Sequence, residues 1–450
     1  MERKEIRYKN GEITAFLSLI FVLLVSFILA MTESAQTQTE KNLKRLAVDR
    51  SIYSVFGEYQ RDLLEEYGVF AIEGSYETGS FDEQQLLNRL IYYGSGGIEQ
   101  TITDIQFLSD NGGQAFREQV LEYMETKTGI GILEDLAGVA SSWEEQKIEG
   151  MQASEQLEAL WEEDTALLPE QQEDFQNLTA SGILSLVLPE GFALSGKAIT
   201  KETQLSMRQR NQGYGQLPER SNTEGIKENL LFHCYLTDTF SSAIEQKSDS
   251  RNLDYEMEYL IGGKETDEEN LKAVVRQILI ARMGVNYAFL QTDSTKKSEA
   301  EAFAMTLATV TLHPELMEPI KQFILLLWAF GESTIDIRTL LDGKQVPLVK
   351  TSENWVLPIA RVFTFAAFKM EYNGNEQGLG YDEYLQILLL FKKEETITMR
   401  TLDRVENNLR IEKDMDYFRI DACISKIKLE NCAEIGGRYQ YTFPVYYGYL

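Results

Sequence analysis

ITAFLSLIFVLLVSFILAMT, from Ile13 to Thr32, is an uncharged run bounded by Glu12 and Glu33. As a helix rising about 1.5 Å per residue it is about 30 Å long, the thickness of a bilayer's hydrocarbon core. A bilayer offers no water to an open backbone, so a spanning run must be helical. Ahead of it stand Arg3, Lys4, Arg7 and Lys9 against Glu2 and Glu5. Basic flanks stay on the cytoplasmic side. The pattern therefore predicts residues 1–12 as a cytoplasmic leader, 13–32 as a transmembrane helix and the rest as extracytoplasmic, in a single-pass protein of the cell membrane. Lys41, Lys44 and Arg45 on the far side weigh against that orientation.

Two other fates are open to the same run. A cleaved secretory signal has a shorter apolar core, about 7–15 residues, although the small pair Ser34-Ala35 would admit cleavage. Prepilin-like signals are cut just before their apolar helix, and GEITAFLSLI resembles that arrangement, with the cut between Gly11 and Glu12. Type IV pilins carry a glutamate five residues after the cut; here the position is Phe16. Ser18, Ser26 and Ala30 recur near helical spacing, and such small residues let helices approach closely in a membrane.

Beyond the run, residues 33–66 keep helical periodicity through Leu43, Leu46, Ala47, Ile52, Tyr53, Phe56, Leu63 and Leu64. They read as a continuous or slightly broken stalk carrying an extracytoplasmic domain over 67–450. Strands are expected at Tyr67–Ile72, 98–108 and 253–261, the last because Leu253, Tyr255, Met257, Tyr259 and Ile261 alternate with mostly acidic neighbours. Alternation at Phe418–Ile424 and Tyr439–Tyr447, joined through Gly436-Gly437, predicts an antiparallel hairpin. Helices are expected near 82–92, over 113–147, from Asp267 to Leu290 behind a Thr266–Glu269 capping box, and near 296–311, 315–342, 355–370 and 382–412. FILLLWAF at Phe323–Phe330 is too short to span a bilayer and reads as a buried core helix. The sum is an α+β fold: an N-terminal transmembrane helix running into a mostly helical domain with a modest antiparallel sheet.

Composition narrows the function. With 43% hydrophobic and 11% aromatic residues the chain can bury a substantial core. A net charge of −28 opposes nucleic-acid binding through the surface at large, which needs clustered Lys and Arg. Thirteen acidic residues against Lys147 alone mark 134–175 as an acidic helical region, read as a solvated arm. Three cysteines, Cys234, Cys423 and Cys432, make no disulfide framework. They suit buried apolar positions, with a Cys423–Cys432 pair across a hairpin as the alternative. Only His233 and His313 occur, and no metal-ligand spacing exists, so no metal or cofactor is expected.

Apparent motifs dissolve on inspection. Gly191–Ala198 fits GxxxxGK but has Ala198 where a phosphate loop needs Ser or Thr for magnesium. His233-Cys234 are adjacent, and on a helix neighbours diverge by about 100°, so a buried helical turn explains them better than a nucleophile and its base. His313-Pro314 reads as a helix start. Carboxylate pairs such as Asp336 with Asp342, or Glu256 with Glu258, are inevitable among 71 acidic residues. Asp336, Arg338 and Lys344 lie among apolar positions and suggest a buried ionic network.

Four segments carry a family resemblance. They are GEITAFLSLIFVLLVSFILAMTESA at 11–35, EYLIGGKETDEENLKAVVRQILIARMGVNYAFLQTD at 258–293, LLLWAFGESTIDIRTLLDGKQVPLVKTSENW at 325–355, and GLGYDEYLQILLL at 378–390 with the closing YTFPVYYGYL. The chain resembles a family of uncharacterised, membrane-anchored proteins, a domain of unknown function, from Gram-positive anaerobes. Its members often accompany genes of the tight-adherence (Tad) pilus system; residues 134–220 match least. The resemblance implies location and company, with the bilayer and pilin-like or Tad platform proteins as partners, and supplies no catalytic residues. The expected function is a non-enzymatic minor pilin-like subunit or accessory of a Tad-type pilus. The alternative is a membrane-tethered surface domain that binds or hydrolyses a ligand.

Overall fold

In the computed structural model the uncharged run belongs to one unbroken helix, α1 (Asn10–Phe56), of 47 residues. The structure describes residues 10–127, 182–218, 225–310, 317–365 and 378–449, with isolated positions at 148, 150–153, 155–156 and 370. His313-Pro314, the acidic stretch 134–175 apart from those isolated positions, and the expected helix beyond residue 127 lie outside the described residues. Every side chain from Ile13 to Gln36 is exposed. Burial begins only where the helix meets the domain.

A tight turn after Phe56 leads to α2 (Arg61–Tyr67), so two helices cover the stretch 33–66. Gly68, at φ 69°, ends it in a left-handed conformation that a side chain would resist. The strand expected at Tyr67–Ile72 shrinks to β1 (Ile72–Glu73). The segment before it finds other partners: the Gln119 side chain accepts from the Phe70 N–H (2.7 Å) and donates to the Phe70 carbonyl (2.9 Å), doing a strand's work. Helix α3 (Glu83–Leu90) and strand β2 (Ile98–Phe107) follow, then α4 (Gln114–Lys127). The C-terminal hairpin is β3 (Cys423–Ile435) and β4 (Tyr439–Gly448), turning at Gly436-Gly437 with φ of 60° and 65°. Strand β3 is the centre of the sheet. It pairs antiparallel with β2 from Ile98↔Ala433 to Phe107↔Ile424, and with β4 from Ile435↔Tyr439 to Lys426↔Gly448. On the β4 side, β1 continues the edge through Ile72↔Ile424.

The rest is helical: α5 (Ile226–Thr239), α6 (Glu256–Gly262), α7 (Asp267–Thr292), α8 (Ser294–Val310), α9 (Met317–Leu341), α10 (Tyr381–Leu390) and α11 (Glu394–Glu412). Thr266 caps α7 by accepting from the Glu269 N–H at 3.2 Å. The strand expected at 253–261 is instead α6. The alternation misled because residues 255–261 are all buried, the acidic ones included. Glu256 accepts from Arg251 (2.5 Å), Asn408 (2.7 Å) and the Ser241 N–H (3.1 Å), so it needs no solvent face.

The helix expected at 355–370 is, in its described part, a 3-10 turn (Ile359–Arg361) among loops. Pro358 lacks the N–H a helix would need, and the Leu357 carbonyl is taken by the indoles of Trp328 (2.7 Å) and Trp355 (3.0 Å). The helix expected over 382–412 divides into α10 and α11, which lets two apolar faces turn separately onto one core. FILLLWAF lies within α9, and Ile324 to Ala329 are buried. Helices α7, α8 and α9 form a layer around Trp328, Trp355 and Leu357. A larger core joins α2, α4, α5, α6, α7, α10 and α11. The fold is therefore α+β, mostly helical with a small antiparallel sheet.

Candidate functional site

The junction of α1 with the sheet is where the long apolar helix becomes part of a domain. Val48, Ser51, Ile52, Val55 and Phe56 are buried, at the spacing that puts them on one helical face. Val48 packs with Ile98, Ala433 and Phe443. Ile52, Val55 and Phe56 pack with Ile102, Phe107, Ile424 and Leu429 of the sheet and Leu86 and Leu90 of α3. Each such side chain stabilises the contact by about 1.5–3 kcal/mol. The Phe56 ring lies 4.7 Å from that of Tyr447 and 5.0 Å from that of Tyr449. The Tyr449 hydroxyl donates to the Phe56 carbonyl, capping the helix end.

A polar clamp precedes this apolar lock. Glu40 accepts from the Gly436 N–H at 2.8 Å, tying α1 to the β3–β4 turn. Arg45 donates to the Tyr441 hydroxyl at 2.5 Å and lies 5.3 Å from the Phe443 ring centre. The Lys41 ammonium stands 5.0 Å from the Tyr441 ring centre. At exposed sites such cation–ring contacts contribute about 0.5–1 kcal/mol each. The helix is thus fixed in direction from Glu40 onward. Ser26 and Ala30 are exposed one turn apart, on one face of the free part, and the Ser18 hydroxyl is satisfied by the Ala15 carbonyl at 2.8 Å. Gly11-Glu12 falls in the first turn of α1.

The three residues of the expected ionic network separate. Asp336 is fully buried on α9, and its partners are Arg282 (2.8 Å) of α7 and Lys350 (2.7 Å). Lys350 also binds Glu332 at 2.7 Å, which makes two cations and two carboxylates, formally neutral. Asn286 donates to Asp336 at 3.0 Å, and the Val356 and Leu357 N–H groups donate to Glu332. Burial raises the Asp336 carboxyl, but Arg282 and Lys350 outweigh it and hold it below the usual carboxylate range. Burial pushes Glu332 up despite Lys350. Arg338, two residues on, points elsewhere and donates to the Met370 carbonyl (2.7 Å) and the Leu186 carbonyl. Lys344 forms a half-exposed pair with Asp342 at 2.6 Å. The partners Arg282, Glu332 and Lys350 carried no signal in the sequence, because they converge from α7, α9 and the loop after it.

Other singled-out residues are structural. Lys197 of the GxxxxGK segment donates to Asp254 (2.6 Å) and to the Arg251 carbonyl (2.8 Å), and no helix follows it to receive a phosphate. His233 is buried in α5 with Glu394 at 3.5 Å, and burial lowers its pKa. Cys423 and Cys432 lie on the same strand, nine residues or about 30 Å apart, which excludes the hairpin disulfide. Among the described residues no group of three or more His, Cys, Asp or Glu is placed to hold a metal ion. The junction and the buried charges therefore position and rigidify, and the arrangement presents a long apolar helix at a fixed angle.

No curated protein and no solved structure matches the chain. A family of unknown function, DUF5702, matches residues 163–435, which include helices α5 to α11, the buried Arg282–Asp336–Lys350–Glu332 charges and all of β3, and exclude α1, α2 and α4. The chain belongs to this family.

Proposed function

We propose that the protein is a single-pass envelope protein whose α1 crosses the cell membrane, N-terminus inside. Its folded domain works outside as a minor pilin-like subunit or accessory of a Tad-type pilus or secretion system, without catalysis. The observation that supports this reading is the continuity of α1. An exposed apolar length, Ile13 to Thr32, runs unbroken into residues locked in the sheet core. A flexible tether would serve a surface domain equally well; a rigid helix transmits position and is itself a packing element. In this reading α1 lies among pilin-like helices or platform helices, and Ser26 and Ala30 admit their close approach. Replacing both in the Ser26→Leu, Ala30→Leu variant is expected to reduce piliation several-fold while export is unchanged. Piliation at the parental level would overturn the reading. A membrane-tethered ligand-binding domain is the second reading, and a polar cleft of about 680 Å³ between the end of β2, the 109–111 turn and residues 210–217 favours it.

A further inference from the structure

Beyond its apolar run, α1 keeps one face turned away from the domain. On it Leu43 is 58% exposed, Leu46 63% and Tyr53 68%. With exposed Arg50 between them, these residues are spaced by three, four and three positions, which stacks them on one side of the helix. The buried Val48, Ser51, Ile52 and Val55 take the other side. Continued towards the N-terminus, the same spacing meets Thr39, Gln36, Thr32, Leu29, Val25 and Val22, all exposed. The Thr39 and Thr32 hydroxyls return to the Ala35 and Ile28 carbonyls at 2.8 Å, so neither needs water. From Val22 to Tyr53 this seam is about 47 Å long.

Lipid does not reach its outer part. Leu43 lies eleven residues past Thr32, about 16 Å along an upright helix, and a headgroup layer is about 5–8 Å deep. Single exposed apolar residues are ordinary on a surface, but a seven-residue repeat of them on one helix face is the pattern that a second helix covers.

We propose that α1 pairs in parallel with the α1 of a second copy of this chain, in a two-stranded coiled coil running from the membrane to the domain. The pairing rests on the reading that α1 crosses the membrane: every copy then inserts the same way, and two α1 helices meet in parallel. Charge selects the same occupant. Asp49 and Arg50 are both exposed at the outer seam, and neither has an ion-pair partner among the described residues. In a parallel pair a seam residue abuts the residue just ahead of the equivalent seam position on its neighbour. Arg50 of each copy therefore meets Asp49 of the other, twice by symmetry. The Gln36 amide is donor and acceptor at once and meets its own counterpart across the axis, a polar contact that fixes register. Each domain packs on the far side of its α1, so the two domains stand outward from the pair. Ser26 and Ala30 lie off the seam and stay free for other helices.

The test uses the full chain in isolated membrane vesicles, washed with carbonate and then oxidised with copper phenanthroline. The Leu46→Cys variant is expected to give a disulfide-linked species of twice the chain mass, containing both tags when two tagged versions share one membrane. Glu33→Cys, off the seam, and the parent with Cys234, Cys423 and Cys432 should give little of it. Asp49→Arg and Arg50→Asp singly should each weaken association about tenfold, read by energy transfer between donor- and acceptor-tagged copies, and the double variant should recover it. Three results overturn the pairing alone: carbonate-resistant chain without the Leu46→Cys product, a product of another mass, or a double variant no better than the singles. Release of the chain by carbonate overturns it together with the membrane reading.

Discussion

The Arg282–Asp336–Lys350–Glu332 cluster and the Arg208–Glu406–Asp421 cluster both withdraw charge from water, yet they hold different things together. The first joins helices α7 and α9 to the 347–357 loop, inside a layer already packed by Trp328 and Leu326. All four of its charged side chains are at most 1% exposed. The second fastens a segment with almost no regular structure. Arg208 makes a fork to Glu406 (2.5 and 2.8 Å) and reaches Asp421 at 2.5 Å. Beside it Asp403 accepts from the Ser206 hydroxyl (2.6 Å), the Ser206 N–H (2.8 Å) and the Tyr259 hydroxyl (2.7 Å). Where apolar packing is dense, buried charge chiefly fixes which partner a helix takes. Where packing is thin, it is what orders the chain, and the ordered chain is the wall of the polar cleft.

Breaking the first cluster is expected to cost most. Asp336→Asn leaves Arg282 and Lys350 facing one carboxylate in a dry site, and removal of one partner of a buried pair costs about 3–5 kcal/mol. Urea denaturation should show that loss of stability; a change below about 1 kcal/mol would mean that water reaches the cluster. Arg208→Met should cost less, about 2–3 kcal/mol, because the Arg208 side chain keeps 15% exposure and the lost bonds are charge-assisted. Its signature is local. Amide exchange in 201–217 should speed up well before the global transition, while α7 and α9 keep their protection. Equal acceleration in both regions would erase the distinction between the clusters.

What the sequence revealed follows the same division. Elements with a solvent face were readable: α1, β2, the C-terminal hairpin and the capped start of α7 each carry a one-sided pattern or a cap. Charged residues in elements buried on every side misled the reading. Glu256 and Glu258 looked like the wet side of a strand, but partners from other elements, Arg251, Asn408 and Tyr381, receive them in α6. Asp336 was recognisable as a buried acid from its apolar neighbours, whereas Arg282 and Lys350, distant in sequence, were not. The cleft was illegible because it is assembled from β2 and residues about a hundred positions later, and amide side chains have no sequence signature as a site.

Glu258 sharpens the comparison from the other side, as a buried carboxyl with no cation paired to it among the described residues. It is fully buried, one oxygen accepting from the Tyr381 hydroxyl (2.8 Å) and the Ala243 N–H (3.0 Å), the other without a partner among the described residues. Burial pushes its pKa up to about 7, against those two hydrogen bonds, whereas Asp336 is held low by its cations. The signs are opposite. For Glu258 the folded state prefers the proton, so its contribution to stability is complete below the unfolded value of about 4.3 and is lost as pH rises through about 7. For Asp336 the contribution is present above the unfolded carboxylate pKa and is lost on acidification. Glu258→Gln should therefore stabilise the protein at pH 8, with the difference from the parent vanishing near pH 4. Denaturation midpoints measured across that range decide it. A Glu258→Gln variant less stable than the parent at pH 8 would place an unseen cation beside Glu258 and make its site a third member of the paired class.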